Sequence, residues 1–249
     1  ICCSYNGKIV YVTNFSSFVS RSIEVSAAQA AQITTAVVVE QDGSLRQVPT
    51  KLVSKTDSSG VTRYYAVFQS LTNSSYALIH NVAEFSDISA SWAKEAINDM
   101  GSRMIITGVD GENFEPDRDI TRAEFAAVIV RALGLKPICG NTNFSDVSTS
   151  DWYCGYISAA SQYGLINGYD DGTFKPNDNI TREEVMTIVE RAMKLTKLAP
   201  SLTEKKIADL LAPYTDSKEL SSWSSRSAAA CLEIGIIKGR TTNTLCPKD

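Results

Sequence analysis

Apolar residues are spaced in two ways along this chain, and the spacing changes near residue 81. Before it they fall in short runs rich in Val, Ile, Tyr and Thr, at 8–13, 36–40, 47–53, 61–68 and 75–79, which predict strands. Gln41-Asp-Gly-Ser44, Asp57-Ser-Ser-Gly60 and Thr72-Asn-Ser-Ser75 separate the later runs with turn residues that fit antiparallel hairpins. The stretch 27–32 predicts one or two helical turns. Beyond residue 84 the apolar positions recur every three or four residues. Phe125, Val128, Ile129, Ala132 and Leu133 form one helical stripe, and Val185, Ile188, Val189, Ala192 and Met193 another. Shorter patterns, Trp92, Ala96, Ile97 and Met100, then Tyr153, Tyr156, Ile157 and Ala160, read most simply as core faces. Gly164 and Gly235 suit the left-handed residue that ends a helix, whereas the first copy carries Met104 there, as strain or as a different cap.

The helical patterns belong to a repeat. Asn167-Gly-Tyr-Asp-Asp-Gly-Thr-Phe-Lys-Pro-Asn-Asp-Asn-Ile-Thr-Arg-Glu-Glu-Val185 has an upstream copy, Thr107-Gly-Val-Asp-Gly-Glu-Asn-Phe-Glu-Pro-Asp-Arg-Asp-Ile-Thr-Arg-Ala-Glu-Phe125. Lys238-Gly-Arg-Thr-Thr-Asn-Thr-Leu-Cys-Pro-Lys-Asp249 restates its first part. Phe85-Ser-Asp-Ile, Phe144-Ser-Asp-Val and Tyr214-Thr-Asp216 precede the copies, each followed by a tryptophan: Trp92, Trp152 or Trp223. Units of this size cannot bury an apolar face alone, so copies are expected to pack around a shared core.

Thr121 with Glu124 and Thr181 with Glu184 satisfy the Thr-x-x-Glu capping box that opens a helix. Capping does not explain Arg122 and Arg182, because a cation in the first turn opposes the helix dipole. Two readings stay open: an arginine reaching for an anion held at the free N–H groups of the helix start, or a surface arginine paired with a neighbouring aspartate.

Composition narrows the class. The chain has 249 residues, 43% hydrophobic and 21% charged, enough to bury sizeable cores in one or two domains. No apolar stretch is long enough to span a membrane. A net charge of −4 argues against a broad nucleic-acid surface. The chain opens at Ile1-Cys-Cys and closes inside a repeat, so it reads as a fragment of a longer protein. Cys139 and Cys154 stand 15 apart, as do Cys231 and Cys246; local disulfides and unpaired half-buried thiols are equally consistent with that spacing. Cys2 and Cys3 say nothing by themselves. No metal or cofactor is expected: the Asp170–Asp171 loop fails the EF-hand pattern, and neither cysteine pair has zinc spacing. The one histidine, His80, and the absence of a nucleophile–base arrangement argue against an enzyme.

Phe-Ser-Asp, Trp, Gly-Tyr-x-Asp-Gly-x-Phe-x-Pro and Ile-Thr-Arg-Ala-Glu, in order and repeated, resemble the S-layer homology domains of Gram-positive surface proteins, over residues 84–249. The stretch 36–81 is similar, more weakly, to the β-rich segment preceding such repeats in some large surface proteins. The resemblance implies an α+β multidomain chain: a β-rich, sandwich-like part at 1–81, then an all-α pseudo-threefold assembly of repeats at 82–140, 141–199 and 200–249, the third incomplete. It implies a secreted protein at the cell surface or cell wall, in an S-layer, anchored non-covalently and without chemistry. The partner would be a secondary cell-wall polysaccharide held in grooves between repeats, often through a pyruvate ketal carboxylate. Arg122 and Arg182 would contact that anionic sugar, with Trp92, Trp152 and Trp223 either stacking on sugar rings or filling the core. Gly108, Gly168 beside Tyr169, and Gly239 would let backbone approach the ligand, a plain turn role being the alternative. Arg182 would face a groove with Trp223 and Arg122 one with Trp152, and losing Arg182 would weaken binding while hardly touching stability. The first copy displaces the second glycine of the motif by one, and the third has Arg240-Thr-Thr-Asn, lacking both Tyr and that glycine. Two alternatives carry forward: lattice assembly through self-association, and a wall-targeting module of a larger extracellular enzyme.

Overall fold

The computed structural model describes residues 2–140 and 143–249, with only the backbone described at Cys2, Cys3, Tyr5, Val10 and Tyr11; the expected start of the second repeat, residue 141, lies outside them. The chain is α+β and divides into two compact units, Ile1–Arg118 with Val130–Lys136, and Asp119–Ile129 with Pro137–Asp249.

The first unit carries the sheets. Strands β1 (Cys2–Tyr5) and β2 (Lys8–Tyr11) form an antiparallel ribbon. Next come β3 (Asn14–Val25), a single helical turn α1 (Ala27–Ala30), β4 (Thr35–Val39), β5 (Leu45–Val48), β6 (Thr50–Thr56), β7 (Thr62–Thr72) and β8 (Tyr76–Ile79). They make two three-stranded antiparallel sheets, ordered β3-β7-β6 and β5-β4-β8. Phe68 of one sheet packs with Ala36, Val38 and Val48 of the other, and Tyr76 and Leu78 close the cluster. The expected turns at 41–44 and 57–60 do join hairpins, with Gly43 and Gly60 both at φ +84. The turn at 72–75 does not, because β7 and β8 lie in different sheets. The run 47–53 breaks at Pro49, whose missing N–H cannot serve a ladder, so it supplies the end of β5 and the start of β6. Strand β3 is serine-rich and mostly exposed or half-buried, so no apolar alternation announces it.

Helix α2 (Lys94–Ser102) buries Ile97 and Gly101, but Trp92 is 98% exposed and Ala96 is exposed, so neither is core. Helix α3 (Arg122–Ala132) begins in the second unit and ends in the first. Its last carbonyls lack intrahelical donors. The N–H groups of Gly134 and Leu135 turn back to the carbonyls of Arg131 (2.9 Å) and Val130 (3.0 Å), Gln47 of β5 adds a bond to the Arg131 carbonyl, Arg46 donates to the carbonyl of Gly134, and Lys136 pairs with Glu40 at 2.8 Å.

In the second unit are α4 (Cys154–Gln162), α5 (Arg182–Leu195), α6 (Glu204–Leu211) and α7 (Ser225–Ile234). Met186, Met193, Leu202, Ile207, Leu220, the small residues Ala228, Ala229 and Ala230, and Leu245 form a core shared by α5, α6 and α7. Helix α6 lies between repeat motifs, where the repeat pattern predicts nothing; Thr203 caps it and Ile207 anchors it. The helical period is as expected, but the buried faces are rotated. In α3 the most buried residues are Arg122, Ala123, Ala126, Ala127 and Val130, with Phe125, Val128, Ile129 and Ala132 half-buried beside them. In α5, Ile188, Ala192 and Met193 are buried as expected, while Val185 and Val189 are half-buried. A second stripe, Glu183, Met186, Thr187 and Glu190, is buried too, and its carboxylates hide it from an apolar count. Alanines let neighbouring backbone close in, which is why the tightest face of α3 is its smallest.

Cys139 and Cys154 form a disulfide, whereas Cys231 and Cys246 are free thiols, so the two equally spaced pairs are not alike. Cys231 is buried against the Met186 carbonyl, and burial pushes its thiol pKa up to about 12. Met104 takes the conformation of its glycine counterparts: φ is +60, against +66 at Gly164 and +77 at Gly235. It is therefore strain rather than a different cap. Relieving a side chain in the left-handed region outweighs the extra freedom glycine gives the unfolded chain. Met104→Gly should raise stability by about 0.5–1 kcal/mol, read as a higher urea midpoint at unchanged slope.

Candidate functional site

The three copies of the Gly-x-x-x-x-x-Phe-x-Pro turn share one construction. The residue between Phe or Leu and the next helix-directed segment is left-handed, at φ +58 in Glu115, +56 in Lys175 and +50 in Cys246. That geometry points two successive N–H groups into one concavity, a small anion site. The aspartate of the Phe-Ser-Asp motif fills it. Asp87 accepts from the N–H of Phe114 (2.9 Å) and Glu115 (2.7 Å), Asp146 from Phe174 and Lys175 (both 2.8 Å), and Asp216 from Leu245 (2.9 Å) and Cys246 (2.7 Å). The Phe114 N–H beside Asp87 holds its carboxyl below the usual range. Burial pushes Asp216 up, but the N–H groups of Leu245 and Cys246 outweigh it and hold it low as well.

Gly108, Gly168 and Gly239 are needed for closeness, not for a left-handed backbone. A Cβ on them would run into carbonyls of the same turn, at Asn113 (2.5 Å), Thr173 (2.6 Å) and Thr244 (2.7 Å), and into the Phe85, Phe144 and Tyr214 rings, each the aromatic of its own Phe-Ser-Asp or Tyr-Thr-Asp motif. The turn role therefore has a close-packing cause, and Gly168 also lines the pocket described below.

Both expected capping boxes form: Thr121 N–H donates to Glu124 (2.8 Å) and Thr181 N–H to Glu184 (3.0 Å), and each glutamate N–H donates back to the threonine hydroxyl. The remaining first-turn donors are not free. Arg122 and Ala123 donate to the carbonyls of Asp178 and Pro176 (both 2.9 Å), in the second copy's turn. Arg182 and Glu183 donate to those of Asp249 (2.8 Å) and Pro247 (3.0 Å), in the third. The arginine side chains continue the same contact. Arg122 Nε donates to the Phe174 carbonyl (2.9 Å) and Arg182 Nε to the equivalent Leu245 carbonyl (2.9 Å). Arg122 is 6% exposed, pairs with Glu184, and lies 4.8 Å from the centres of both the Tyr169 and Phe174 rings. Arg182 also donates to the Lys238 carbonyl (3.1 Å), and burial lowers its pKa. Both earlier readings of these arginines need correcting. The helix starts have no spare donors for an anion, and the partners are the next copy's carbonyls rather than a surface aspartate. Removing Arg182 would therefore cost stability.

Beside Arg122 opens a pocket of about 410 Å³ lined by Asn167, Gly168, Tyr169, Glu184, Ile188, Arg191 and Trp223, among others. It joins three of the expected site residues, Arg122, Gly168 and Tyr169, to a fourth, Trp223, and Arg122 thus shares a pocket with Trp223 rather than Trp152. Trp152 stacks edge-on with Tyr153 and Tyr156 at 58% exposure, and Trp92, Gly108, Arg182 and Gly239 do not line it. All three tryptophans are surface residues, so the core alternative fails. Tyr169 donates its hydroxyl to Glu184 (3.2 Å), which leaves one face of the pocket neutralised.

The turns, the capped helices and their order match the S-layer homology domain at 84–126 and 143–186. These segments are S-layer homology domains. The chain is 36% identical over 195 residues, 78% of its length, to an amylopullulanase of Thermoanaerobacterium thermosulfurigenes, and covers 10% of that protein. That match is longer than the stretch from Glu84 to Asp249, so it reaches into the β region. The chain is also 36% identical over 178 residues to the exoglucanase XynX of Acetivibrio thermocellus, 72% of the chain and 16% of that protein. A surface layer protein of Brevibacillus choshinensis is 39% identical over 93 residues, 36% of the chain and 8% of that protein. The chain thus spans a tenth to a sixth of the two enzymes it matches. S-layer homology repeats with such relatives mark a protein of the cell surface or cell wall. No described helix is long and apolar enough to cross a membrane.

Within the S-layer homology repeats, the cation that sequence reasoning missed is Arg191, three turns along α5 from its cap. It donates to the Leu165 carbonyl (3.2 Å) and, with the Asn167 amide oriented so that its nitrogen serves Ile166, to the Asn167 oxygen (3.1 Å). Among the described residues no carboxylate pairs with it, and burial lowers its pKa. The signal was present: Arg131 and Arg191 occupy equivalent positions in the repeat, on the polar side of an otherwise apolar helix.

A carboxylate whose folded pKa is depressed stabilises the fold above its unfolded value and loses that contribution as pH falls through the folded one. The part contributed by Asp87 and Asp216 is therefore complete above pH about 4 and fades below it. Asp216→Asn should cost about 1 kcal/mol at pH 7 and flatten the acid limb of a plot of unfolding midpoint against pH, measured by urea melts.

Proposed function

We propose that these repeats anchor a surface protein non-covalently to the cell wall, by holding an anionic wall polysaccharide in the pocket between the 167–170 turn, α5 and Trp223. The observation that carries this reading is the unmatched Arg191 in a pocket whose other arginine is already paired with Glu184. Tyr169 and Trp223 are 39% and 54% exposed there, and aromatic faces of that kind stack on sugar rings. A carboxylate such as a pyruvate ketal would complete Arg191 with a planar, charge-assisted contact. On this view Arg122 and Arg182 build the grooves rather than line them with free charge, and Trp92, Trp152, Gly108 and Gly239 belong to the sister sites.

The reading carries an architecture with it: a β-rich segment at 1–81 and three repeats at 82–140, 141–199 and 200–249 around a pseudo-threefold axis. The recurrence of the aspartate-filled turn in all three copies supports it. The repeats themselves act without catalysis. A second reading, a wall-targeting module of a larger extracellular enzyme, is favoured by the amylopullulanase and exoglucanase relatives, of which the chain covers so small a part. Self-association in a lattice is the competing role.

Sedimentation of the chain with native walls, and with walls stripped of pyruvylated polymer, tests the proposal. Arg191→Ala should remove roughly 1.5–3 kcal/mol of binding to native walls, about ten- to hundred-fold, and Arg191→Lys should recover only part. Equal retention of parent and variant, or of parent on native and stripped walls, would contradict anchoring through this pocket.

A further inference from the structure

The residue after the motif arginine is alanine in the first copy, Ala123, and glutamate in the second, Glu183. Nothing in helix capping asks for the change, because Thr181 and Glu184 already complete the box. Glu183 is nevertheless 4% exposed, and a carboxylate so placed must be compensated by several donors. Three of them come from one short segment. Ser221 gives its backbone N–H (2.9 Å) and its hydroxyl (2.9 Å), Ser224 gives its hydroxyl (2.9 Å), and Lys248 pairs with the same carboxylate while donating to Ser221 Oγ (3.0 Å). Ser224 is fully buried.

Ser221 and Ser224 bracket Trp223. The indole itself makes no hydrogen bond, no ring–ring contact and no cation–ring contact among the described residues. Its direction therefore depends on where the backbone on either side is held, and that backbone is fastened to Glu183. The anchor sits on α5, the same helix that presents Arg191 and Glu184 to the pocket. One helix thus sets both the cation and, through three donors from Ser221 and Ser224, the aromatic wall opposite it.

We propose that Glu183 is a positioning residue for ligand binding: it clamps the Ser221–Ser224 segment so that Trp223 stands as a preorganised wall of the Arg191 pocket. The role rests on reading that pocket as the wall-glycan site. Preorganisation matters because an aromatic platform that must first be ordered gives back part of its stacking energy. Plain docking of the third copy onto the second would also use these bonds, but it would not need them to meet on either side of the indole.

The experiment uses the full chain with Trp92→Phe and Trp152→Phe, both exposed positions, so that Trp223 is the sole reporter. Fluorescence anisotropy decay of Trp223 without ligand is measured on Glu183→Gln in that chain, whereas sedimentation with native walls and thermal melting are measured on Glu183→Gln and on Trp223→Ala in the chain that keeps Trp92 and Trp152. Glu183→Gln keeps the size but turns an amide toward the Ser221 N–H. The expected result, at a temperature where circular dichroism shows the fold intact, is a larger fast component in the Trp223 decay with wall binding weakened about three- to ten-fold. An unchanged decay in folded Glu183→Gln, even with a lowered melting temperature, would overturn the proposal and leave Glu183 a docking residue. If Glu183→Gln does not fold, Ser224→Ala, which deletes one donor and buries no charge, decides by the same two readouts. Trp223→Ala separates the layers. Parent-like wall binding by Trp223→Ala would overturn the pocket reading and this proposal together, whereas weak binding by Trp223→Ala beside normal binding by Glu183→Gln would overturn this proposal alone.

Discussion

The contact on which the repeats depend is a handover of hydrogen bonds from one copy's helix to the next copy's turn. A helix begins with N–H groups that have no partner inside it, and the usual remedies are a capping side chain, water or a bound anion. Here the cap takes one donor, and the next two go to main-chain carbonyls of the following copy, at Asp178 and Pro176 for α3 and at Asp249 and Pro247 for α5. The turn that offers these carbonyls has N–H groups of its own to satisfy, and fixing them fixes the turn. Asp146 of the Phe-Ser-Asp motif and Asp216 of Tyr-Thr-Asp do that, so the motif that looks farthest from the helix start holds the turn that the helix start bonds to. The arginine then reaches across and adds a side-chain bond to the same turn, which accounts for a cation at a position where the dipole disfavours one.

This arrangement separates assembly from binding. Arg122 is consumed by the Phe174 carbonyl, Glu184 and two aromatic rings, and its burial makes it part of the wall of the pocket. Arg191, hydrogen-bonded to neutral oxygens rather than to a carboxylate, is the charge that the proposed function assigns to a ligand. The same helix, α5, receives Arg122 through Glu184, presents Arg191, and carries Glu183, so three polar side chains on an amphipathic helix do three different things. The first copy has Ala123 where the second has Glu183, so the segment around the second copy's Trp152 is a poor guide to how Trp223 is held.

Much of this was legible in the order of residues. The change of spacing near residue 81, the capping boxes at Thr121 and Thr181, and the threefold recurrence of the turn motif all follow from period and local chemistry, and all are present. What escaped was whatever depended on a partner far away in the chain. An arginine bonded to a carbonyl some fifty residues on looks, from its neighbours, like a free cation. A glycine crowded by a distant aromatic ring as well as by its own turn looks like a plain turn glycine. Strand β3, held by pairing with β7 rather than by its own apolar alternation, looks like a loop, and the buried carboxylates of α5 rotate its core face away from where an apolar count puts it. Two cysteine pairs with identical spacing could not be told apart, because only the fold decides which sulfurs meet.

The handover can be measured directly by native-state hydrogen exchange at the first-turn amides. In an ordinary helix the first residues after the cap exchange quickly, since nothing in the helix protects them. The N–H groups of Arg122, Ala123, Arg182 and Glu183 should instead be protected to the level of the mid-helix amides of α5, and Arg182→Ala should lower protection at the third copy's turn while leaving that of the second intact. Exchange at those four amides as fast as at an exposed helix start would contradict the account.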